Sequence, residues 1–377
     1  MSITIKEIAD KLQVSTATVS RSLRNDLLVH PETRARVNQM AVALGYQGRA
    51  GRGPSRRAGV HGRGAAQPDV RRPLIGIVLA LRHVAQARQH GIYGHMLQGI
   101  TAECDTQCVR NSLFMAPWTG GRLPAGEVDR LADKVAESQC DAVVVVGALP
   151  EEFIEALCRR LPVVVLSRRF DSLHADSALQ DNVAAIAGLV GRLAALAHRR
   201  LAFVDDCNVS SMYLERYAGF VMGCEQFGIG VSDRHRVRTE DYIETAAGMR
   251  LDNNLIRRLI AEQNVTGFVC VNDKVALECL TAVEGFELAV PEHVSVTGFD
   301  NDRSNVSTET IGLVNLCTID PNFIELGRCA VRLAVQRITF PATPPLRLSV
   351  AAAIIDGATT GPPRISLPEG FLATGSR

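Results

Sequence analysis

The chain lacks most of the patterns by which enzymes, metal proteins and exported proteins declare themselves. Its ten cysteines are scattered without a C-x-x-C pair, which points away from a zinc site or a disulfide framework and toward buried thiols of a cytosolic protein. No secretory signal opens the sequence, and its apolar runs are strand-sized, so neither export nor a membrane span is expected. The sequence contains no G-x-x-x-x-G-K-[ST], G-x-S-x-G, G-x-G-x-x-G or H-E-x-x-H. Its three G-x-G triplets, starting at 51, 62 and 228, lack the third glycine, and its nine histidines form no obvious ligand pair. No catalytic residue, cofactor or metal is therefore expected. Net charge is also nearly absent, at +1, but it is unevenly spread. Residues 1–72 hold 13 Lys/Arg against 5 Asp/Glu, a net of +8; the remainder holds 28 against 35, a net of −7. A basic end on an acidic body suits a nucleic-acid-binding head on a sensor body. With 377 residues and 46% hydrophobic content, the chain can build two or three domains.

What is present begins with the first 46 residues. Ile5, Ile8, Ala9 and Leu12 follow the i, i+3, i+4, i+7 spacing of a helix with one buried face, and Thr4 with Glu7 forms a capping box. After a break at Gln13-Val14, Ser15 caps a second helix that turns Val19 and Leu23 inward. Pro31 and Glu32 open a third, whose stripe is Val37, Met40, Ala41 and Leu44, and Gly45 stops it. The first two helices make a helix-turn-helix. Thr16, Ala17, Ser20 and Arg21 then face outward on the half of the second helix that enters a major groove in this motif. Arg21 can fork onto the O6 and N7 of guanine, and Thr16 and Ala17 suit a thymine methyl. Thr18, Ser22, Arg24 and Asn25 are candidates for phosphate contacts. A protein-interaction module could share the shape; the exposed set and the basic charge favour DNA.

Residues 47–73 carry seven arginines and a single acid, Asp69, among many glycines. That composition predicts a flexible, phosphate-attracting linker, with Arg49, Arg52, Arg56 and Arg57 as minor-groove or linker contacts. From Leu74 onward, continuous apolar strands alternate with helices, and the alternation recurs after about residue 180. Two α/β halves with parallel sheets covered on both faces are expected, with a tail from Gly361 that frays.

The run Val14-Ser15-Thr16-Ala17-Thr18-Val19-Ser20-Arg21, with Thr4-Ile5-Lys6-Glu7-Ile8-Ala9 before it and Leu44-Gly45-Tyr46 after, resembles the DNA-binding headpiece of the LacI/GalR family of bacterial regulators. Farther on, Asp181-Asn182, Arg216-Tyr217-Ala218-Gly219-Phe220, Val271-Asn272-Asp273-Lys274 and Val296-Thr297-Gly298-Phe299-Asp300 resemble that family's effector domain. The resemblance spans most of residues 3–340. It implies a multidomain chain: an all-α helix-turn-helix headpiece (1–46), a linker (47–73), an α/β effector-binding and dimerisation domain of two doubly wound parallel-sheet halves with a periplasmic-binding-protein-like fold (74–360), and a tail (361–377). Half one would hold about 74–171 and 291–319, and half two about 172–290 and 320–357, with crossings near 171, 290 and 320. It further implies a cytoplasmic repressor that binds a double-stranded pseudo-palindromic operator as a homodimer, with a tetramer left open. A small molecule in the cleft, a sugar ahead of a nucleoside or purine, would control it. A solute-binding protein or an α/β enzyme without specific DNA function is the alternative.

The resemblance places effector contacts at Arg216 and Asp273. Taken alone, Arg216 could solvate a helix face and Asp273 could cap a helix. Arg82, Tyr93, Trp118 and Phe170 lie in or near loops and are read as packing or surface. The chain departs from the family in its linker, where the hinge helix normally wedges a leucine into the minor groove. Here Ser55 falls at the leucine position, after Gly53 and Pro54, and no leucine occurs from 47 to 73. Arginines entering the minor groove, a disordered charged segment and a plain solvated tether all remain open.

Overall fold

The computed structural model describes residues 4–23, 33, 36–37, 40, 71–80, 91–116, 126–206, 210–245, 248–302, 315–363, 367–368 and 371. The chain divides into two compact units, Met1–Asp69 and Val70–Arg377.

In the first unit, α1 (Ile5–Leu12) starts on the capping box read from the sequence: Glu7 N–H donates to Thr4 Oγ1 at 3.3 Å, and Thr4 N–H to Glu7 Oε2 at 2.6 Å. Gln13 takes a left-handed φ of 53° and ends the helix. Then α2 (Thr16–Leu23) begins with Thr18 N–H on Ser15 Oγ at 3.0 Å. Ile8, Ala9, Val19 and Val37 form the core, with Ile5, Leu12, Val14 and Met40 packed around them. Thr33, Arg36, Val37 and Met40 are helical, within the stretch where a third helix was expected.

The second unit holds two parallel sheets. The first has the order β13-β5-β4-β3-β1-β2, where β1 is Leu74–Ala80, β2 Arg110–Ala116, β3 Ala142–Val146, β4 Val163–Leu166, β5 Asp176–Gln180 and β13 Arg347–Val350. The helices α3 (Ile92–Thr106) and α10 (Phe323–Thr339) pack on one core of this sheet, and α4 (Glu127–Glu137) and α5 (Glu151–Cys158) on the other. Every residue of β3 is fully buried, which explains its unbroken run of alanine and valine. The second sheet has the order β11-β10-β6-β7, with β6 Leu201–Val204, β7 Arg236–Val237, β10 Gly267–Cys270 and β11 Ser295–Thr297. Around it lie α6 (Asn182–Ala195), α7 (Ser211–Gln226), α8 (Asn253–Ala261) and α9 (Asp273–Gly285). A hairpin, β8 (Tyr242–Thr245) and β9 (Gly248–Leu251), and an antiparallel pair, β12 (Thr318–Asp320) with β14 (Ala353–Ile355), complete the described strands.

This topology corrects the expected division into halves. Residues 172–180 end in β5, which pairs with β4 in the first sheet. Residues 291–319, expected in half one, supply β11, which pairs with β10 in the second. Residues 320–357, expected in half two, supply α10 and β13 to the first half. The crossings therefore follow β5, run through β12 and leave by β14. Periodicity gives the type of each element, but it does not say which sheet a three-residue strand joins. The tail also departs from expectation. His198 Nε2 lies 2.9 Å from Gly361 O, and Phe371 is buried in the core of the second half, where its carbonyl accepts from Arg257 at 3.0 Å.

The contact between α3 and α10 depends on small residues. A Cβ added at Gly99 would lie 1.9 Å from the carbonyl oxygen of Ile324, which is backbone and has little room to move. Gly99→Ala is expected to cost about 1–3 kcal/mol by overpacking. The cost should show as a lower urea midpoint for the α/β unit; an unchanged midpoint would mean that the two helices separate freely.

Candidate functional site

In the headpiece, Thr16 and Ala17 are exposed at the start of α2, as a reading face requires. Arg21 lies on the same helix, its side chain outside the described residues, as are Arg24, Asn25, Arg49, Arg52, Arg56 and Arg57. Ser22 departs from expectation: it is fully buried and so does not reach a phosphate. It stands three residues after Val19 and one before Leu23, so the inward stripe takes it in. Thr18 is half-buried, and its hydroxyl lies 2.8 Å from that of Ser15.

In the α/β unit, a cavity of about 550 Å³ opens at the carboxyl ends of the strands, where open α/β sheets bind ligands. The first half contributes Ile92, Tyr93 and Met96 of α3, Gly147 to Pro150 after β3, Leu166 at the end of β4 with Ser167 and Arg168 beyond it, Gln180 of β5 and Phe323 of α10. The second half contributes Ser210, Met212 and Tyr213 at the start of α7, and Asp300 beyond β11. The volume is that of a typical small-molecule site, with apolar walls and a few polar groups.

Neither of the two effector contacts expected from the sequence lines this cavity. Arg216, on α7, has no exposed surface. Its Nε donates to Asn182 Oδ1 at 3.0 Å, one terminal nitrogen to Val271 O at 2.6 Å and the other to Asp300 Oδ1 at 3.1 Å. The guanidinium carbon sits 3.5 Å from the centroid of the Phe299 ring. Such a group is pinned, and what it presents to the cavity is the carboxylate it holds. Asp273, the first residue of α9, is turned away: Oδ1 accepts from Thr318 Oγ1 at 2.5 Å and Oδ2 from Asp302 N–H at 2.8 Å. A Cβ at Gly298 would fall 2.2 Å from Asp273 Oδ1, so glycine there makes room for the carboxylate.

The carboxylate that does face the cavity is Asp300. Burial raises its pKa to about 6, against the pull of Arg216. Asp273 is pushed further, to about 8, by burial first and the neighbouring Asp300 second. Around them, Asn272 Nδ2 donates to Asp206 Oδ2 and to the Tyr213 hydroxyl, each at 3.2 Å, while its Oδ1 caps α9. Asn182 donates to Glu215 at 2.9 Å, and Glu215 pairs with Arg169 at 3.4 Å.

Sequence reasoning therefore missed Asp300, Asn182, Arg168 and Gln180. The signal for the first two was present in the quoted motifs: an acid directly after Gly298-Phe299, and an asparagine directly after an N-capping aspartate. The polar pair Ser167-Arg168 just past a buried strand was a weaker signal for the third. Tyr93 lines the cavity and Phe170 lies under Arg168, whereas Arg82 and Trp118 fall outside the described residues. Among the described residues, no group of three His, Cys, Asp or Glu could hold a metal, and no helix is long and apolar enough to cross a membrane.

Residues 4–48 match the family model described as bacterial regulatory proteins, lacI family, and residues 190–360 match that of the periplasmic binding protein-like domain. The chain is 27% identical over 347 residues to the HTH-type transcriptional repressor CytR of Escherichia coli (strain K12), an alignment that covers 89% of each protein. Its fold is similar to that of a transcriptional regulator CelR–cellobiose complex, with a TM-score of 0.61, 18% identity and coverage of 95% and 99% of the two chains. It is also similar to the lac repressor dimer bound to operator and the anti-inducer ONPF, with a TM-score of 0.58, 19% identity and coverage of 96% and 100%. These relatives are regulators and not enzymes, and the chain belongs to the LacI/GalR family of bacterial transcriptional regulators, with a helix-turn-helix headpiece and a periplasmic-binding-protein-like domain.

Proposed function

We propose that this repressor binds a pseudo-palindromic operator as a homodimer in the cytoplasm and that a sugar in the α/β cavity sets its affinity for DNA. The observation that carries the effector half of this reading is the Arg216–Asp300 pair. A buried guanidinium holds a carboxylate at the edge of a cavity of about 550 Å³. A carboxylate offers paired acceptors to adjacent hydroxyls, and Tyr93, Tyr213 and Phe323 supply ring faces for the C–H side of a sugar. Cleft closure would then couple to head spacing, at a coupling energy of about 1–3 kcal/mol.

Self-association is supported by the edges of the second unit. Strand β2 ends its sheet and leaves Leu113 and Met115 51% and 57% exposed, and Ile243 and Met249 protrude from the β8–β9 hairpin. Exposed apolar side chains on an edge strand favour pairing with another surface. Two heads on a two-fold body would read half-sites about one helical turn apart.

The test is selection of bound sequences from random duplex DNA with the full-length protein, repeated with Arg21→Ala. The wild type is expected to enrich a pseudo-palindrome with a fixed guanine in each half-site. The variant should lose that guanine, at a cost of about 1–3 kcal/mol per contact. An identical base preference in the variant would remove Arg21 from the reading face; no enrichment at all would sink the operator reading.

A further inference from the structure

The first-half wall of the cavity carries a cation that forms no ion pair among the described residues. Arg168 follows β4, and one of its nitrogens donates to Leu149 O at 2.7 Å. Its guanidinium carbon lies 4.8 Å from the centroid of the Phe170 ring. A guanidinium has five N–H donors, and no carboxylate forms an ion pair with this one among the described residues. By contrast, Arg216, Arg236 and Arg337 have aspartate partners at 3.1, 2.8 and 2.5 Å. Burial lowers the pKa of Arg168; Glu151 opposes this electrostatically, but its Oε1 is engaged by the Ser172 hydroxyl at 2.8 Å. A cation kept in a partly desolvated wall costs free energy that an anion in the cavity would recover.

A second observation sits beside it. Gln180 is 3% exposed, its Nε2 donates to Ser167 Oγ at 2.9 Å, and its Oε1 has no hydrogen-bond partner among the described residues. Buried polar atoms are rarely left unpaired in native proteins. Gln180, Ser167 and Arg168 line the same cavity as Asp300, which the other half supplies. One wall thus offers a cation with no ion pair and an acceptor with no partner among the described residues, and the other an anchored carboxylate.

We propose that the effector is a polyol bearing an anionic group, a carboxylate or a phosphate, with the anion on Arg168 and hydroxyls shared between Gln180 and Asp300. This rests on the reading of the cavity as the effector site. Arg168 thereby separates acidic sugars from their neutral parents, because only the former complete its ion pair.

The experiment is calorimetric titration of the full-length protein, in a phosphate-free buffer, with matched sets: glucose, glucuronate and glucose 6-phosphate, then galactose, galacturonate and galactose 6-phosphate, then ribose and ribose 5-phosphate. At least one acid or phosphate is expected to bind ten times or more tightly than its neutral parent, and the carboxylate and phosphate arms identify the anion. Arg168→Gln should remove that preference, lowering anion affinity at least tenfold and bringing it to the level of the neutral parent. Arg168→Lys should restore part of it. Because a variant can fail to fold, the wild type is also titrated at rising salt, where anion affinity should fall and neutral-sugar affinity should hold. Neutral sugars binding as tightly as the anions would overturn this proposal and leave the sugar reading standing. Binding by no member of the panel would overturn both.

Discussion

Replacing Arg216 by methionine is expected to destabilise the α/β unit by about 3–5 kcal/mol, the range for breaking a buried ion pair by removing one partner. The large figure follows from what the guanidinium holds. Three of its nitrogens are engaged, by Asn182, the carbonyl of Val271 and Asp300, and it has no exposed surface through which water could replace them. Methionine fills much of the volume and keeps the face of Phe299 covered, so the loss is mainly of polar partners rather than of packing. The stranded Asp300 carboxylate would lose the group that holds its pKa down. It would titrate higher still, so the deficit should shrink as the pH falls and Asp300 protonates in the folded state. Urea unfolding at pH 5 and pH 8 measures both effects. A deficit below about 1 kcal/mol at pH 8 would mean that Arg216 is an ordinary helix residue. Arg216→Met should also abolish any effector response, whereas a headpiece that folds independently should keep its DNA preference.

The sequence made the headpiece legible to the level of single hydrogen bonds, because its signals are local. Thr4 and Glu7 form a capping box within one turn, and Ser15 caps α2 in the same way. The elements of the α/β unit were legible for a similar reason, since a buried parallel strand such as Ala142–Val146 is apolar throughout. The arrangement of those elements was not. β11 is three residues long, and only its register with β10 places it in the second half. The site was legible in part. The resemblance put Arg216 and Asp273 among the effector contacts; in the structure neither lines the cavity, and Arg216 holds the carboxylate that does. An arginine that holds an aspartate and an arginine that holds a ligand have the same sequence. Only the partners distinguish them, and those lie 84 residues away for Arg216 and Asp300. Arg168 was passed over because nothing local marks an arginine that forms no ion pair among the described residues.

The supporting aspartate carries the second large effect, which concerns pH. Asp273 has a folded pKa of about 8, raised from 3.8 by burial and by Asp300. Between those values the unfolded chain has released its proton while the folded chain retains it. The unfolded state therefore binds fewer protons, and stability falls as pH rises through that window. Below the lower value both states are protonated and the effect vanishes. The wild type is expected to lose on the order of 3 kcal/mol of unfolding free energy between pH 5 and pH 8, discounting the full shift for solvent relaxation. Asp273→Asn cannot ionise, and its amide can still accept from Asp302 N–H and donate to the Thr318 hydroxyl. The variant should lose much less over the same range, the Asp273 contribution being gone, and it should be the more stable protein at pH 8. Thr318 belongs to β12, one of the strands by which the chain crosses between halves, and its hydroxyl donates to Asp273 Oδ1, so the side chain at 273 also secures a crossing segment. Urea midpoints for both proteins at unit steps from pH 5 to pH 8 decide the matter. Parallel curves would mean that Asp273 is ionised in the fold, with Thr318 and Asp302 alone sufficient to hold its charge.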